Sequence, residues 1–137
     1  MGGTFDPIHV GHLAVAEEAR DALGLERILF VPAGTPPHKP DGAEAGIEDR
    51  VAMVGLAISG SPTFELSRVD VDRAGPSFTA DAVTIIATDL ESRGIEPDLT
   101  LIMSAETLDG LPTWREPHRL LARCRVAEAW FALQAAK

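Results

Sequence analysis

Helix-type and strand-type patterns of apolar residues alternate along this chain of 137 residues. Apolar residues recur at helical spacing in three long segments and one short one, at residues 12–24, 47–60, 77–94 and 115–125. Short apolar runs lie between them and predict strands at residues 27–33, 64–72 and 98–105. Strands that alternate with helices are typical of a parallel sheet with helices packed on its faces, so the pattern predicts an α/β fold.

Four clusters of glycine, proline and polar residues border these predicted elements. The first is the opening run GGTFDPIHVGH, residues 2–12, which precedes the first helix. The other three each follow a predicted strand and read PAGTPPHK, GPSFT and SAETLDGLPTW. In parallel α/β sheets, ligands bind at the carboxyl ends of the strands. We therefore expect the four clusters to form one site along one edge of the sheet.

The opening run combines two glycines with two histidines, His9 and His12. Gly2 and Gly3, which we expect in a turn, carry no Cβ atom and would let a phosphate approach the backbone. Histidines three residues apart lie on one face of a helix, and a helix N-terminus offers free N–H donors to an anion. The pattern favours a phosphate clamp over a nucleophile–base pair or a metal site. The alternative is that His9 only caps the helix and His12 is a core histidine.

Composition and charge limit the partners and the cellular location that we expect for this chain. Twelve Lys and Arg against 21 Asp and Glu give a formal net charge of −9, which disfavours a broad surface for nucleic acid or anionic membrane. The single cysteine, Cys124, excludes a disulfide within the chain, and we expect it to be a small hydrophobe that is at least half-buried. No apolar run reaches transmembrane length and no signal-peptide pattern opens the chain, so we expect a cytoplasmic protein with no membrane partner.

The opening run resembles the HxGH signature of the nucleotidyltransferase superfamily, with His9 and His12 as its histidines. The segments VPAGTPPHK, GPSFTADAV and LPTWREPHRLLARCRVA are similar to one branch, the bacterial nicotinate-nucleotide adenylyltransferases. The resemblance runs from Gly2 to about Ala127 and implies a Rossmann-like three-layer α/β sandwich with a parallel sheet. It also implies the reaction of ATP, with bound Mg²⁺, and nicotinate mononucleotide, which gives nicotinate adenine dinucleotide and diphosphate.

The resemblance also implies roles for individual residues. The catalytic residues it implies are His9 and His12, which would hold ATP phosphates and stabilise the charge that develops during transfer. The implied ATP-binding residues are Gly2, Gly3, Thr4, Phe5, His9, His12, Lys39, Ser104 and Glu106. The implied residues for nicotinate mononucleotide are His38, Ser77, Phe78, Thr79 and Trp114. Thr79 would bind the carboxylate and Trp114 would stack on the pyridine ring, and no residue is implied as a metal ligand. A core aromatic for Trp114 and a solvated loop lysine for Lys39 remain the alternatives.

The chain departs from the family pattern in three places. Ser104-Ala105-Glu106 stands where a GxD motif is usual, so the acidic side chain expected at the adenosine ribose is longer. Only Met1 stands where the family has an apolar strand, and EAWFALQAAK replaces a family segment that contains a Ser/Thr/Arg phosphate-binding motif. We therefore expect residues 1–127 to be an incomplete nucleotidyltransferase domain and residues 128–137 an atypical tail, with little turnover by the chain alone.

Two further functions stay open at this stage. One is another HxGH adenylyltransferase, such as a phosphopantetheine adenylyltransferase, although the GPSFT and LPTW segments disfavour it. The other is a non-catalytic nucleotide-binding remnant, which the absent Ser/Thr/Arg motif favours. The expected partners are ATP and nicotinate mononucleotide, and a homo-oligomer is compatible with the sequence.

Overall fold

Every strand pairing in the part of the chain that the structure describes is parallel. The computed structural model describes residues 1–34, 45–75, 78–103 and 109–128. Its strands are β1 (Gly2–Gly3), β2 (Ile28–Pro32), β3 (Phe64–Leu66), β4 (Leu99–Met103) and β5 (Cys124–Glu128). One sheet has the order β1-β2-β3 and the other pairs β4 with β5. β1 contacts β4, so the two sheets meet there.

The helices lie close to where their apolar spacing predicts them. They are α1 (Val10–Leu23), α2 (Ile47–Ile58), α3 (Thr79–Ser92) and α4 (Pro117–Arg123), with a 3-10 helix at Leu111–Thr113. α1 ends at Gly24, whose φ of +64° is the left-handed conformation that glycine adopts readily. Leu23, the last residue of α1, is 52% exposed. Within the described residues, none of the helices has the length and apolar character needed to span a membrane.

The side chains of β4 show that helices cover both faces of the sheet. Leu101 and Met103 pack in one core cluster, whose other buried members are Ala80, Val83, Leu111 and Leu120. Ile102 points to the opposite face and packs in a second cluster, with Phe5, Ala16, Ile28, Phe30, Val54, Ile58 and Phe64. The first cluster draws on α3 and α4 and the second on α1 and α2, because successive side chains of a strand alternate between faces. The predicted three-layer α/β arrangement is confirmed.

Gly2 and Gly3 form a strand and not the turn that the sequence predicts. They pair with Val31 and Pro32, and the amide of Ala33 donates to the carbonyl of Gly3 at 2.8 Å. A ladder uses only main-chain N–H and C=O groups, so glycines can complete it without any apolar side chain. The chain turns after this strand, and the opening run therefore leaves the sheet at Thr4.

The predicted strand at residues 64–72 is longer than the strand observed. β3 ends at Leu66, and beyond it the amide of Asp72 donates to the carbonyl of Arg68 at 3.0 Å within a turn. The Arg68 side chain binds the carboxylates of both Asp72 and Glu48. These local polar contacts close a turn where the apolar alternation alone predicts continued extension.

β5 is a strand that the apolar pattern does not predict. α4 ends at Arg123, and Cys124–Glu128 pairs along its whole length with β4. Val126 packs against the cluster between β4, α3 and α4, while Arg125 is exposed. The partner strand is far away in the sequence, so this pairing has no local signal. The half-buried, free Cys124 is as expected.

Candidate functional site

A buried phenylalanine fixes the turn that leads from β1 to α1. Phe5 is only 3% exposed, and its ring lies 6.0 Å from that of Phe30 in the core and 5.0 Å, edge-on, from that of His12. Its φ of +51° is in the left-handed region, which costs a residue with a Cβ atom about 1 kcal/mol or more. The buried ring keeps the backbone in this conformation. Gly3 allows the close approach, because a Cβ there would lie 3.3 Å from the Phe5 ring.

The two histidines form a reciprocal cap at the start of α1. His9 is the N-cap residue, and its Nδ1 accepts a hydrogen bond from the amide of Gly11 at 3.1 Å. The Nδ1 of His12 accepts in return from the amide of His9, also at 3.1 Å. The imidazole rings stack with their centroids 3.9 Å apart. Since an Nδ1 that accepts an N–H bond carries no proton, each ring in this arrangement has its proton on Nε2.

His12 is uncharged at neutral pH. Burial, and to a smaller extent the neighbouring His9, lowers the pKa of the His12 imidazole from 6.5 to about 4. This ring therefore offers a ligand an Nε2–H donor without a full positive charge. His9 does cap the helix, as the alternative interpretation holds, but capping occupies only Nδ1. The structural role and a phosphate-binding role are thus compatible in the same side chain.

Gly11 is required by the stacked histidines and not by a turn. A Cβ at this position would lie 2.8 Å from Cε1 and 2.9 Å from Nδ1 of His9, closer than carbon atoms approach one another in proteins. The ring of His9 therefore occupies the space that any other residue at position 11 would need. This contact gives the glycine between the two histidines of HVGH a physical reason.

Arg50 is a residue of this region that the sequence analysis misses. It lies in α2, is only 1% exposed, and donates to the carbonyls of Thr4, Ala33, Gly34 and Ala45. The signal that could have revealed it is its position four and eight residues before Val54 and Ile58, on the buried face of α2. A charged side chain at such a position is unusual unless it has partners.

The second group of predicted residues lies at the start of α3 and after β4. Phe78 is the N-cap residue of α3 and makes no side-chain capping bond, and Thr79 is the first residue of the helix. The guanidinium of Arg115 lies 4.9 Å from the centroid of the Phe78 ring. Trp114 is half-buried and packs against the cluster between α3, α4 and β4. Its packing agrees with the core alternative and leaves the ligand role untested.

Two arginines offset a carboxylate in the first turn of α3. Asp81 accepts a hydrogen bond from Arg119 at 2.9 Å and lies 3.6 Å from Arg73. Arg119 also pairs with Glu116, and Arg73 pairs with Asp70, whose pKa is raised by burial. Asp81, next to Thr79, thus lies in a group of three carboxylates and two guanidiniums. The two cations reduce the repulsion that a carboxylate ligand would meet at this helix start, but they do not cancel it.

The structure brings some of the predicted site residues together and leaves others untested. The ring of His12 contacts those of Phe5 and His9, and Gly3 and Thr4 lead into the same turn. Phe78 contacts Arg115, which is the residue that follows Trp114. The predicted His38, Lys39, Ser77, Ser104 and Glu106 lie outside the described residues. Among the described residues, no group of three or more His, Cys, Asp or Glu side chains could hold a metal ion.

A match to a family model decides the family. The model for cytidylyltransferase-like proteins matches residues 1–136. The chain belongs to the cytidylyltransferase-like family. The nucleotidyltransferase family and fold expected from the HVGH run are thereby confirmed.

Two named relatives of this cytidylyltransferase-like chain carry the same name. The probable nicotinate-nucleotide adenylyltransferase of Thermomicrobium roseum is 46% identical over 120 residues, which is 88% of this chain and 54% of the relative. The protein of the same name from Roseiflexus sp. strain RS-1 is 47% identical over 126 residues, 92% of this chain and 61% of the relative. The chain thus spans little more than half the length of these relatives.

Two solved structures share the fold. A putative nicotinate-nucleotide adenylyltransferase from Vibrio parahaemolyticus matches with a TM-score of 0.70 and 16% identity over 93% of this chain and 72% of that one. The Plasmodium falciparum nicotinic acid mononucleotide adenylyltransferase, in complex with APC, matches with a TM-score of 0.66 and 18% identity. The match covers 87% of this chain and 56% of that one. At these identities the likeness establishes the cytidylyltransferase-like fold alone.

Substitution of two helical glycines should have opposite effects on stability. Gly11→Ala displaces the His9 ring and its capping bond, so the free energy of unfolding should fall by about 1 kcal/mol. Gly55→Ala in α2 is the matched control, because no atom lies within 4 Å of an added Cβ there, and it should raise stability by about 0.5–1 kcal/mol. Urea unfolding followed by circular dichroism measures both. An unaltered or increased stability for Gly11→Ala would show that the His9 contact is not present in solution.

His12 should make stability depend on pH. Its folded pKa of about 4 lies below the unfolded value of 6.5, so its contribution is complete above pH 6.5 and is lost as the pH falls toward 4. His12→Gln keeps an acceptor for the His9 amide but takes up no proton. The melting temperature of the unaltered chain should therefore fall relative to that of His12→Gln across this range. His118→Gln, at an exposed position of α4, serves as the control. If the difference in melting temperature between the unaltered chain and His12→Gln is the same at every pH, His12 is not buried in its neutral form.

Proposed function

We propose that this chain forms the nucleotide-binding part of an enzyme that transfers the adenylyl group of ATP to nicotinate mononucleotide. The observation that carries the proposal is the reciprocal cap of His9 and His12, which leaves two Nε2–H donors side by side at the start of α1. The names of its relatives, at 46% and 47% identity, support the same reaction. A cytoplasmic location is part of the proposal, in keeping with a free cysteine.

The reaction needs no nucleophile from the protein. An oxygen of the nicotinate mononucleotide phosphate attacks the α-phosphorus of ATP in line, a new P–O bond forms, and the bond to the β-phosphate oxygen breaks. Nicotinate adenine dinucleotide and diphosphate result, with no change in oxidation state. The protein contributes by holding both phosphates in line and by stabilising the charge that develops on the transferred group.

His9 and His12 suit this task as fixed hydrogen-bond donors. Their Nδ1 atoms are held by backbone amides, which sets the direction of each Nε2–H. A donor whose orientation is fixed before the reaction needs no reorganisation as charge develops on a phosphate oxygen. The N-terminus of α1 adds its own positive end beside them. Gly2, Gly3, Thr4 and Phe5 would then line the ATP-binding side.

Mg²⁺ would enter as a complex with ATP. The described residues offer no carboxylate cage, and this cation typically retains several waters while it binds phosphate oxygens. When bound, it would reduce the negative charge of the triphosphate. The chain's own part is to orient the phosphate oxygens that the cation leaves free. Lys39, Ser104 and Glu106 complete the proposed ATP-binding residues.

The start of α3 is the proposed binding place for the nicotinate carboxylate. Phe78 leaves the first-turn amides without a side-chain cap, and Thr79 adds a hydroxyl beside them. Arg73 and Arg119 reduce the negative charge around Asp81, so the repulsion of an anion there is weakened. Trp114 would stack on the electron-poor pyridine ring, with His38 and Ser77 as further contacts.

Replacement of His12 tests the proposed reaction. The chain is incubated with ATP, Mg²⁺ and nicotinate mononucleotide, and both diphosphate release and nicotinate adenine dinucleotide are measured. In a version of the chain extended to the length of its named relatives, His12→Ala should lower turnover about 10²- to 10³-fold, as loss of one donor to a transition state does. His118→Ala, on exposed α4, should leave the rate unaltered.

Because the chain spans 54% and 61% of its named relatives, ATP binding is measured by calorimetry beside turnover. If the unaltered chain binds ATP and His12→Ala binds it more weakly, the proposed ATP site is supported even when turnover is low. Transfer to phosphopantetheine but not to nicotinate mononucleotide would overturn the proposed substrate. A chain that binds neither ATP nor nicotinate mononucleotide would overturn the proposal as a whole.

Substitution of Thr79 tests the carboxylate site. Donors aimed at a carboxylate disfavour nicotinamide mononucleotide, because its amide presents N–H groups where an acceptor is needed. The chain should therefore bind nicotinate mononucleotide at least about 10-fold more tightly than nicotinamide mononucleotide. Thr79→Val should reduce this ratio of affinities. Thr88→Val, near the exposed end of α3, is the matched control. Equal affinities for the two mononucleotides in the unaltered chain would exclude this role.

A further inference from the structure

Arg50 is a charged side chain inside the hydrophobic part of the molecule. It is 1% exposed and shares the buried face of α2 with Val54 and Ile58. Burial of a guanidinium is costly unless its N–H groups are satisfied. The reaction proposed above assigns it no part, and its cost calls for an explanation.

Its hydrogen bonds converge on three separate segments of the chain. One terminal nitrogen donates to the carbonyl of Thr4 at 2.8 Å and to that of Ala33 at 2.7 Å. The other donates to Gly34 at 3.1 Å, and Nε donates to Ala45 at 3.2 Å. Thr4 belongs to the turn between β1 and α1, and Ala33 and Gly34 follow directly after β2. Arg50 therefore ties together the ends of two neighbouring parallel strands.

These bonds join the two turns at the edge of the sheet where ligands are expected. The segment from Thr4 continues through Phe5 to His9 and His12. A planar guanidinium has its donors in a fixed fork, so it sets the distance between the two turns as well as joining them. The four acceptors are neutral carbonyls, and they solvate the cation without cancelling its charge.

We propose that Arg50 is a positioning residue for the triphosphate side of the site. It holds the Thr4 turn, and through it the two histidines, in register with the Ala33–Gly34 turn, and it places a buried positive charge against the carbonyls of both turns. The inference rests on the proposed function, because it takes ATP as the ligand of the His9–His12 turn. It predicts that Arg50 acts on ATP affinity and not on affinity for nicotinate mononucleotide.

Two substitutions separate geometry from charge. Arg50→Lys keeps the charge but loses the fork, and Arg50→Gln loses both. ATP affinity, measured by calorimetry with Mg²⁺ present, should fall about 10-fold for Arg50→Lys and further for Arg50→Gln. Affinity for nicotinate mononucleotide should stay within about 2-fold, since the start of α3 makes no bond to Arg50 among the described residues. Arg93→Lys and Arg93→Gln, at a 58% exposed position paired with Asp89, are the controls.

Hydrogen exchange gives a readout that does not depend on ATP. In Arg50→Lys the amides of Phe5 and Ala33 should exchange faster, at least about 10-fold, while those within α3 keep their rates. Equal losses of ATP and nicotinate mononucleotide affinity, or faster exchange throughout the chain, would show a general structural role and overturn the inference. ATP affinity unaltered in Arg50→Lys would also overturn it. If the unaltered chain binds no ATP but the amides near Arg50 still exchange faster in Arg50→Lys, the proposed function is overturned. The positioning of the two turns by Arg50 is then retained.

Discussion

The burial of one aromatic ring, that of Phe5, is the constraint on which the rest of the site depends. The ring fills the core beside Phe30 and touches the edge of His12, so core packing and site geometry share one side chain. Its backbone is held at a positive φ, which directs the chain out of the short strand β1 and into α1. A change in the core near Phe30 would therefore reach the histidines through a single ring.

The proposed site would bind anions in a chain whose net charge is −9. It would do so locally, with donors whose direction is fixed: two imidazole N–H groups and the amides that open two helices. Fixed donors in a partly buried site act at short range, so the acidic remainder of the surface opposes them little. The overall charge describes solubility and long-range attraction, and it is a poor guide to what a small site binds.

The parts of the structure that depend on local spacing could be predicted from the sequence. Helical periodicity located α1, α2 and α3, and the three-residue separation of His9 and His12 predicted their contact. Features that depend on distant partners could not be predicted in this way. β5 exists because β4 lies beside it, and Arg50 is buried because carbonyls from three other segments meet it. The reciprocal cap, by contrast, has a local signal, since His12 is three residues after the N-cap, where a capping box places its second acceptor.

The two ends of the site are built with different kinds of interaction. Around His9, His12 and Arg50 the bonds run between side chains and main-chain groups, and the guanidinium is shielded from water. At the start of α3, ion pairs join Asp81 to Arg73 and Arg119, with side chains 26–40% exposed. Salt screens exposed ion pairs far more than it weakens hydrogen bonds to neutral main-chain groups. Ionic strength is therefore a means of loosening the start of α3 while the turn held by Arg50 keeps its form, so the two groups of predicted residues can be perturbed separately without a mutation.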